Sequence, residues 1–159
     1  MPVITLHTEI NAPIDRCFLL SLSVDLHKVS ASQTHEEAVA GITHGLMKLH
    51  DQVTWQAKHF GIRFHMTSAV TAYEHPTYFV SRMMKGPFKK LYHQHLFSEK
   101  DGKTLMTDIF ELQAPLGLLG NLAEKCFLVS YMERFLITRN RILKETAENT
   151  CWEDYLRDS

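Results

Sequence analysis

The chain has 159 residues, of which 45% are hydrophobic and 22% charged, and its net charge is −1 with histidines neutral. That length suits a single domain able to bury a core and still enclose a cavity. The charge balance argues against a nucleic-acid surface, which needs clustered cations to displace counterions; the nearest approach, Lys85, Lys89 and Lys90, reads as a solvated turn.

The opening "MPVITLHTEI" lacks the basic run and long apolar stretch of a signal peptide. Within it, Val3–Ile10 alternates apolar and polar residues and predicts a strand. "NAPIDRCFLLSL" predicts a helix with Pro13 in its first turn, where a missing N–H costs nothing, and with Ile14, Cys17, Phe18 and Ser21 on one face. "SVDLHKVSAS" predicts a second short helix capped by Ser23. From Glu36 to Leu112 six further strands follow, separated by short connections carrying Gly, Pro or Asp, so neighbours are antiparallel. "PLGLLG" ends the strands, and its glycines suit a tight turn rather than a phosphate loop, since it lacks that loop's Lys directly after the last glycine and the preceding parallel-sheet context. A long helix then runs from about Leu118 to Glu148, with Leu122, Cys126, Val129, Leu136 and Leu143 on one face, broadened by Phe127, Tyr131 and Phe135. The chain divides into a domain over residues 1–146 and a tail over 147–159, which docks through Trp152 and Tyr155. No apolar run reaches the length of a membrane span. Cys17, Cys126 and Cys151 form no CxxC, and free thiols suit a reducing cytoplasm. Nothing in the sequence fixes the oligomeric state, and a homodimer is compatible with it.

This order predicts an α+β fold: a curved seven-stranded antiparallel sheet around one long C-terminal helix, with two short helices after the first strand. A sheet curved enough to stand off the helix leaves a hollow, and ligand sites are apolar hollows with a few placed polar groups. Phe64, Met66, Phe79, Val80, Met83, Met84, Leu91, Phe97, Met106, Ile109 and Phe110 are available to line it. In "KLYHQHLF" the two-residue period puts His93 and His95 on one face with Leu91 and Phe97. Either Thr107 or Asp108 on the next strand faces the same way, so the histidines are expected to hydrogen-bond each other, Asp108 or a ligand. Arg82 and Arg134 are candidate anchors for a carboxylate, with surface ion pairing as the alternative. Of the other histidines, His59 and His65 lie on strands further off, and His7, His27, His35, His44, His50 and His75 are scattered and read as surface residues. His93, His95 and Asp108 are the one set with metal-ligand character, but His-x-His supplies half of a coordination shell, so neither metal nor cofactor is expected. No GxSxG occurs, and Cys17 and Cys126, on apolar helix faces, read as inert core thiols.

Several stretches resemble the START/SRPBCC superfamily, the helix-grip group that includes the birch-pollen allergen family and polyketide cyclase-like proteins. "TEINAPIDRCFLLSLSVDLH" is similar to the opening strand–helix–helix of bacterial members, "VTWQAKHFG" and "GPFKKLYHQHLF" resemble middle strands, and "KTLMTDIFELQAPLGLLGNL" resembles the last strand entering the long helix. Arg139 matches a recurring arginine near that helix's end, and Leu91 stands where relatives often carry an aromatic residue. The resemblance covers residues 3–146 and implies a cavity for a lipid-like or aromatic molecule between sheet and helix. It implies no catalytic set. A cyclase or aromatase-like enzyme and a protein-interaction module using the tail are the alternatives it leaves open.

Overall fold

The computed structural model describes residues 1–115, 122 and 127–157. Among them, β1 (Val3–Ile10) leads into α1 (Ile14–Ser21), α2 (Val24–Ser30) and a single 3₁₀ turn, Ser32–Thr34. β2 (Glu37–Gly41), β3 (Gln52–His59), β4 (Ile62–Glu74), β5 (Tyr78–Lys85), β6 (Lys90–Lys100) and β7 (Lys103–Gln113) follow, then α3 (Val129–Glu148) and α4 (Trp152–Leu156). The strands form one seven-stranded sheet in the order β1-β7-β6-β5-β4-β3-β2, with every pairing antiparallel. This is the expected α+β arrangement. β1 closes against the last strand while the helices that follow it cross to the inner face. Register shifts between Ala38 and Ala40, Thr67 and Ser68, and Val70 and Ala72 add residues to one strand of a pair. Such bulges bend a strand and increase its twist, which curves the sheet around the helix.

Local chemistry explains the short helices. Pro13 sits one residue before α1 rather than inside it, extended at φ −62° and ψ 148°, and its carbonyl accepts from Cys17 N. Ser23 Oγ accepts from Leu26 N at 3.1 Å and caps α2, as its residue type predicts. The "PLGLLG" turn, Cys126 and most of the first two turns expected of the long helix lie outside the described residues; Leu122 and Phe127, expected on its apolar face, are exposed.

The core has two main clusters. One gathers Ile10, Phe18, Leu20, Leu26, Phe79, Phe97, Met106 and Leu143; the other gathers Ile4, Leu91, Phe110, Leu112, Met132, Phe135 and Leu136. Phe18 is fully buried and meets Tyr73, His75, Phe79 and Phe97 edge-to-face, with centroids 5.0–5.5 Å apart. Trp152, Tyr155 and Leu156 of α4 pack half-buried on this cluster, and the Arg16 guanidinium lies 4.1 Å over the Trp152 ring. The two tail rings are therefore held against the domain.

Phe18→Ala removes the hub of the first cluster and leaves a void between α1 and the sheet. Urea unfolding is expected to show a loss of about 3–5 kcal/mol; a loss below about 1 kcal/mol would mean that the ring is not the hub described.

Candidate functional site

β6 is buried at Leu91, His93, His95 and Phe97 and half-buried at the residues between, so both histidines face inward. β7 repeats the pattern at Thr104, Met106, Asp108, Phe110 and Leu112, which settles the Thr107–Asp108 pair in favour of Asp108. Asp108 lies directly opposite His95 in the register, and His93 opposite Phe110. From the helix side, Leu136, Arg139, Asn140 and Leu143 occupy one face of α3 at i, i+3, i+4 and i+7, and all four are buried. Two polar residues thus interrupt the apolar stripe of the helix where two histidines interrupt that of the strand.

These side chains meet at Asp108. His93 Nε2 donates to Asp108 Oδ1 at 2.7 Å, and Asn140 Nδ2 donates to Oδ2 at 2.7 Å. Arg139 Nη1 stands 3.6 Å from Oδ1 and donates to Asn140 Oδ1 at 3.0 Å, so Asn140 ties the cation to the anion. His95 Nδ1 lies 3.1 Å from Oδ1 but out of line, and it is the one buried side-chain polar atom among the described residues without a hydrogen bond. The His95 ring is sandwiched between Phe79, stacked at 4.2 Å, and His93 at 3.8 Å. Asn140 also reaches Thr8 on β1, which closes the belt across four elements.

Burial and neighbours set the ionisation. Burial alone would raise the Asp108 pKa, but the hydrogen bond from His93 and the close approach of His95 outweigh it and hold the carboxyl well below its ordinary value. Burial lowers both imidazoles; Asp108 partly opposes this at His93, while His93 adds to it at His95, which falls to about 3. Arg139 is lowered by burial and supported by Asp108. The belt is an ion pair of Asp108 and Arg139 flanked by two neutral histidines. The metal-ligand atoms of His93, His95 and Asp108 lie within 4.8 Å of one another. However, Arg139 already supplies the cation for the shared oxygen, and a divalent ion there would stack a second positive charge on a buried guanidinium. The donor set suits protons better than a metal.

The belt walls a cavity of about 390 Å³ between sheet and helices, within the range of small-molecule sites. Of the residues expected at a site, His93, His95, Leu91, Phe64, Met66, Phe79 and Phe110 line it. Phe97 and Met106 share that inward face but are packed into the first core cluster, further along their strands. Asp108 stands fully buried behind the histidines rather than on the wall. Met83 packs beside the second cluster, and Arg82 and Met84 are exposed on β5. Val80 is buried off the cavity, and Ile109 and Arg134 lie off the wall as well. Arg139, not Arg82 or Arg134, is the cavity's guanidinium. His27 is no surface residue either: it lines the cavity, lies tilted against Trp55 with ring centroids 4.3 Å apart and pairs with Glu36 at 2.5 Å. His59 and Tyr131 also line it, joined at 2.7 Å.

No protein-family sequence model matches the chain, and no curated protein sequence does. Solved structures do. TTHA0849 from Thermus thermophilus superposes with a TM-score of 0.75 at 15% identity, covering 92% of this chain and 97% of that one. The Zhui aromatase/cyclase from Streptomyces sp. R1128 gives 0.70 at 14%, covering 92% and 93%. The ginseng major latex-like protein 151 from Panax ginseng gives 0.66 at 15%, covering 93% and 98%. The chain has the START/SRPBCC-like helix-grip fold. In this helix-grip frame, α3 is the gripped helix, and the belt lies where it crosses β6 and β7. Asn140 escaped the sequence reading, although its signal was present: "RN" falls on the apolar stripe between Leu136 and Leu143.

The neutral histidines make a pH prediction. His95 titrates near 6.5 when unfolded and about 3 when folded, so between those values the unfolded chain binds the proton and the folded one does not. Its contribution is intact above pH 6.5 and is lost as pH falls, by about 2 kcal/mol between pH 6.5 and 5. His95→Phe keeps the stack and removes the titration. Its stability is expected to fall correspondingly less than wild type over that interval in urea unfolding; equal falls would mean that His95 is not held neutral.

Proposed function

We propose that the protein binds an apolar small molecule, lipid-like or aromatic, in the cavity between sheet and α3. The observation that carries this reading is an apolar wall of Leu91, Phe64, Met66, Phe79 and Phe110 meeting one polar belt, the pattern of sites that bind by burial and orient by a few polar groups. His93 and His95 are the polar contacts in this reading, and Asp108 acts through them as a positioning residue. It takes the protein as cytoplasmic and free of nucleic acid. No helix among the described residues is long and apolar enough to cross a membrane.

A second reading, an enzyme of the cyclase or aromatase type, is favoured by the Asp108–His93 hydrogen bond beside an apolar cavity. A carboxylate that fixes an imidazole's tautomer is how proton-transfer sites orient a base. Turnover with a histidine-dependent pH profile separates the two readings.

Native mass spectrometry of the purified chain, compared with the denatured sample, tests the binding reading. A released organic mass is expected, and Ala57→Phe, which projects a ring into the cavity, is expected to reduce its occupancy at least tenfold. Undiminished occupancy in this variant would place the ligand elsewhere.

A further inference from the structure

We propose that the cavity selects ligands carrying a hydrogen-bond donor, a phenol or hydroxyl, at the end that meets His93 and His95. This rests on the cavity reading above and adds the chemical class of ligand.

An ionised carboxylate only accepts. Asp108 is kept ionised by Arg139 and by the bonds from His93 and Asn140. The 2.7 Å contact is therefore an N–H of His93 Nε2 pointing at Oδ1, and in a neutral ring the other nitrogen, Nδ1, carries a lone pair. At His95, Nδ1 is 3.1 Å from the same oxygen. A lone pair there would face a carboxylate, so the proton sits on Nδ1 and Nε2 is bare. Protonating either ring fully would set a charge 3.8 Å from its neighbour's centroid in a buried stack.

Both rings line the cavity, and both turn a nitrogen toward Asp108: His93 Nε2 in a 2.7 Å hydrogen bond, His95 Nδ1 in an out-of-line contact at 3.1 Å. What remains is His93 Nδ1 and His95 Nε2. Neither bonds a described residue, and neither is sealed away as His95 Nδ1 is. The histidine wall is thus a pair of acceptors in an apolar room. An apolar ligand end placed against them strips their water and returns nothing, whereas a hydroxyl satisfies one of them. Discrimination comes from the cost of an unmet acceptor, which is large where water is excluded.

The test uses three probes of nearly one shape: 2-naphthol, 2-methoxynaphthalene and naphthalene, titrated calorimetrically into the full chain. The methoxy compound keeps the oxygen and removes only the donor. 2-Naphthol is expected to bind about 10- to 100-fold more tightly than either analogue, and His93→Phe with His95→Phe is expected to reduce the preference to less than threefold. If naphthalene enters as tightly as 2-naphthol, the donor inference falls and the cavity reading stands. If none of the three enters, both fall. Long-range proton–nitrogen spectra of the histidine rings in the ligand-free chain give an independent readout: protons on His93 Nε2 and His95 Nδ1 support the inference, and the opposite tautomers overturn it.

Discussion

A carboxylate with no exposed surface, Asp108, is the group around which the rest of the structure is arranged. An unpaired charge there would cost several kcal/mol, and the pair it forms with Arg139 repays that only if the remaining lone pairs are met. They are met from two sides: His93 donates from the neighbouring strand and Asn140 from the helix, with the Arg139 guanidinium, one residue before it, 3.6 Å away. Each partner must therefore come from a fixed height on its element. This pins α3 against β6 and β7 both axially and in rotation, which apolar packing alone does less sharply, since hydrophobic contacts tolerate repacking.

The same constraint divides the interior. On β7, Met106 belongs to one core cluster and Phe110 to the other, with Asp108 between them. On α3 the corresponding residues are Leu143 and Leu136, with Arg139 and Asn140 between. On β6 they are Phe97 and Leu91, with the histidines between. The first cluster, built on Phe18, plugs one end of the grip. The second borders the cavity, which lies under the helix where the bulged sheet curves away. Function follows from this division: a closed core end gives rigidity, and an open apolar end gives space. The belt gives that space a polar wall whose hydrogen-bonding sense is set by one ionised group.

Much of this is legible in the sequence because period and position agree. "KLYHQHLF" alternates strictly, so the face of His93 and His95 follows from residue order alone. The same rule fails where both faces of a strand are apolar. On β5, Phe79 and Val80 are adjacent and both buried, so alternation does not say which way Arg82 turns, and the structure turns it outward. A face is also not a location. Phe97 and Met106 share the inward face with the histidines yet sit at the plugged end, because where a cavity begins along a strand depends on what the opposite layer places above it. Residues on α3 were hardest to assign to the site, since a wide apolar arc hides which turn faces the cavity. The two polar residues on that arc, Arg139 and Asn140, are the signal that marks the turn.

Asp108 is ionised beneath neutral histidines, and carbon NMR of its carboxyl group across pH 7 to 4.5 reads this directly. No titration in that window is expected, because the hydrogen-bonded carboxylate protonates only below the ordinary aspartate value near 3.9. A midpoint inside the window would mean a protonated Asp108 that donates to the rings, which reverses the sense of the belt and contradicts the account.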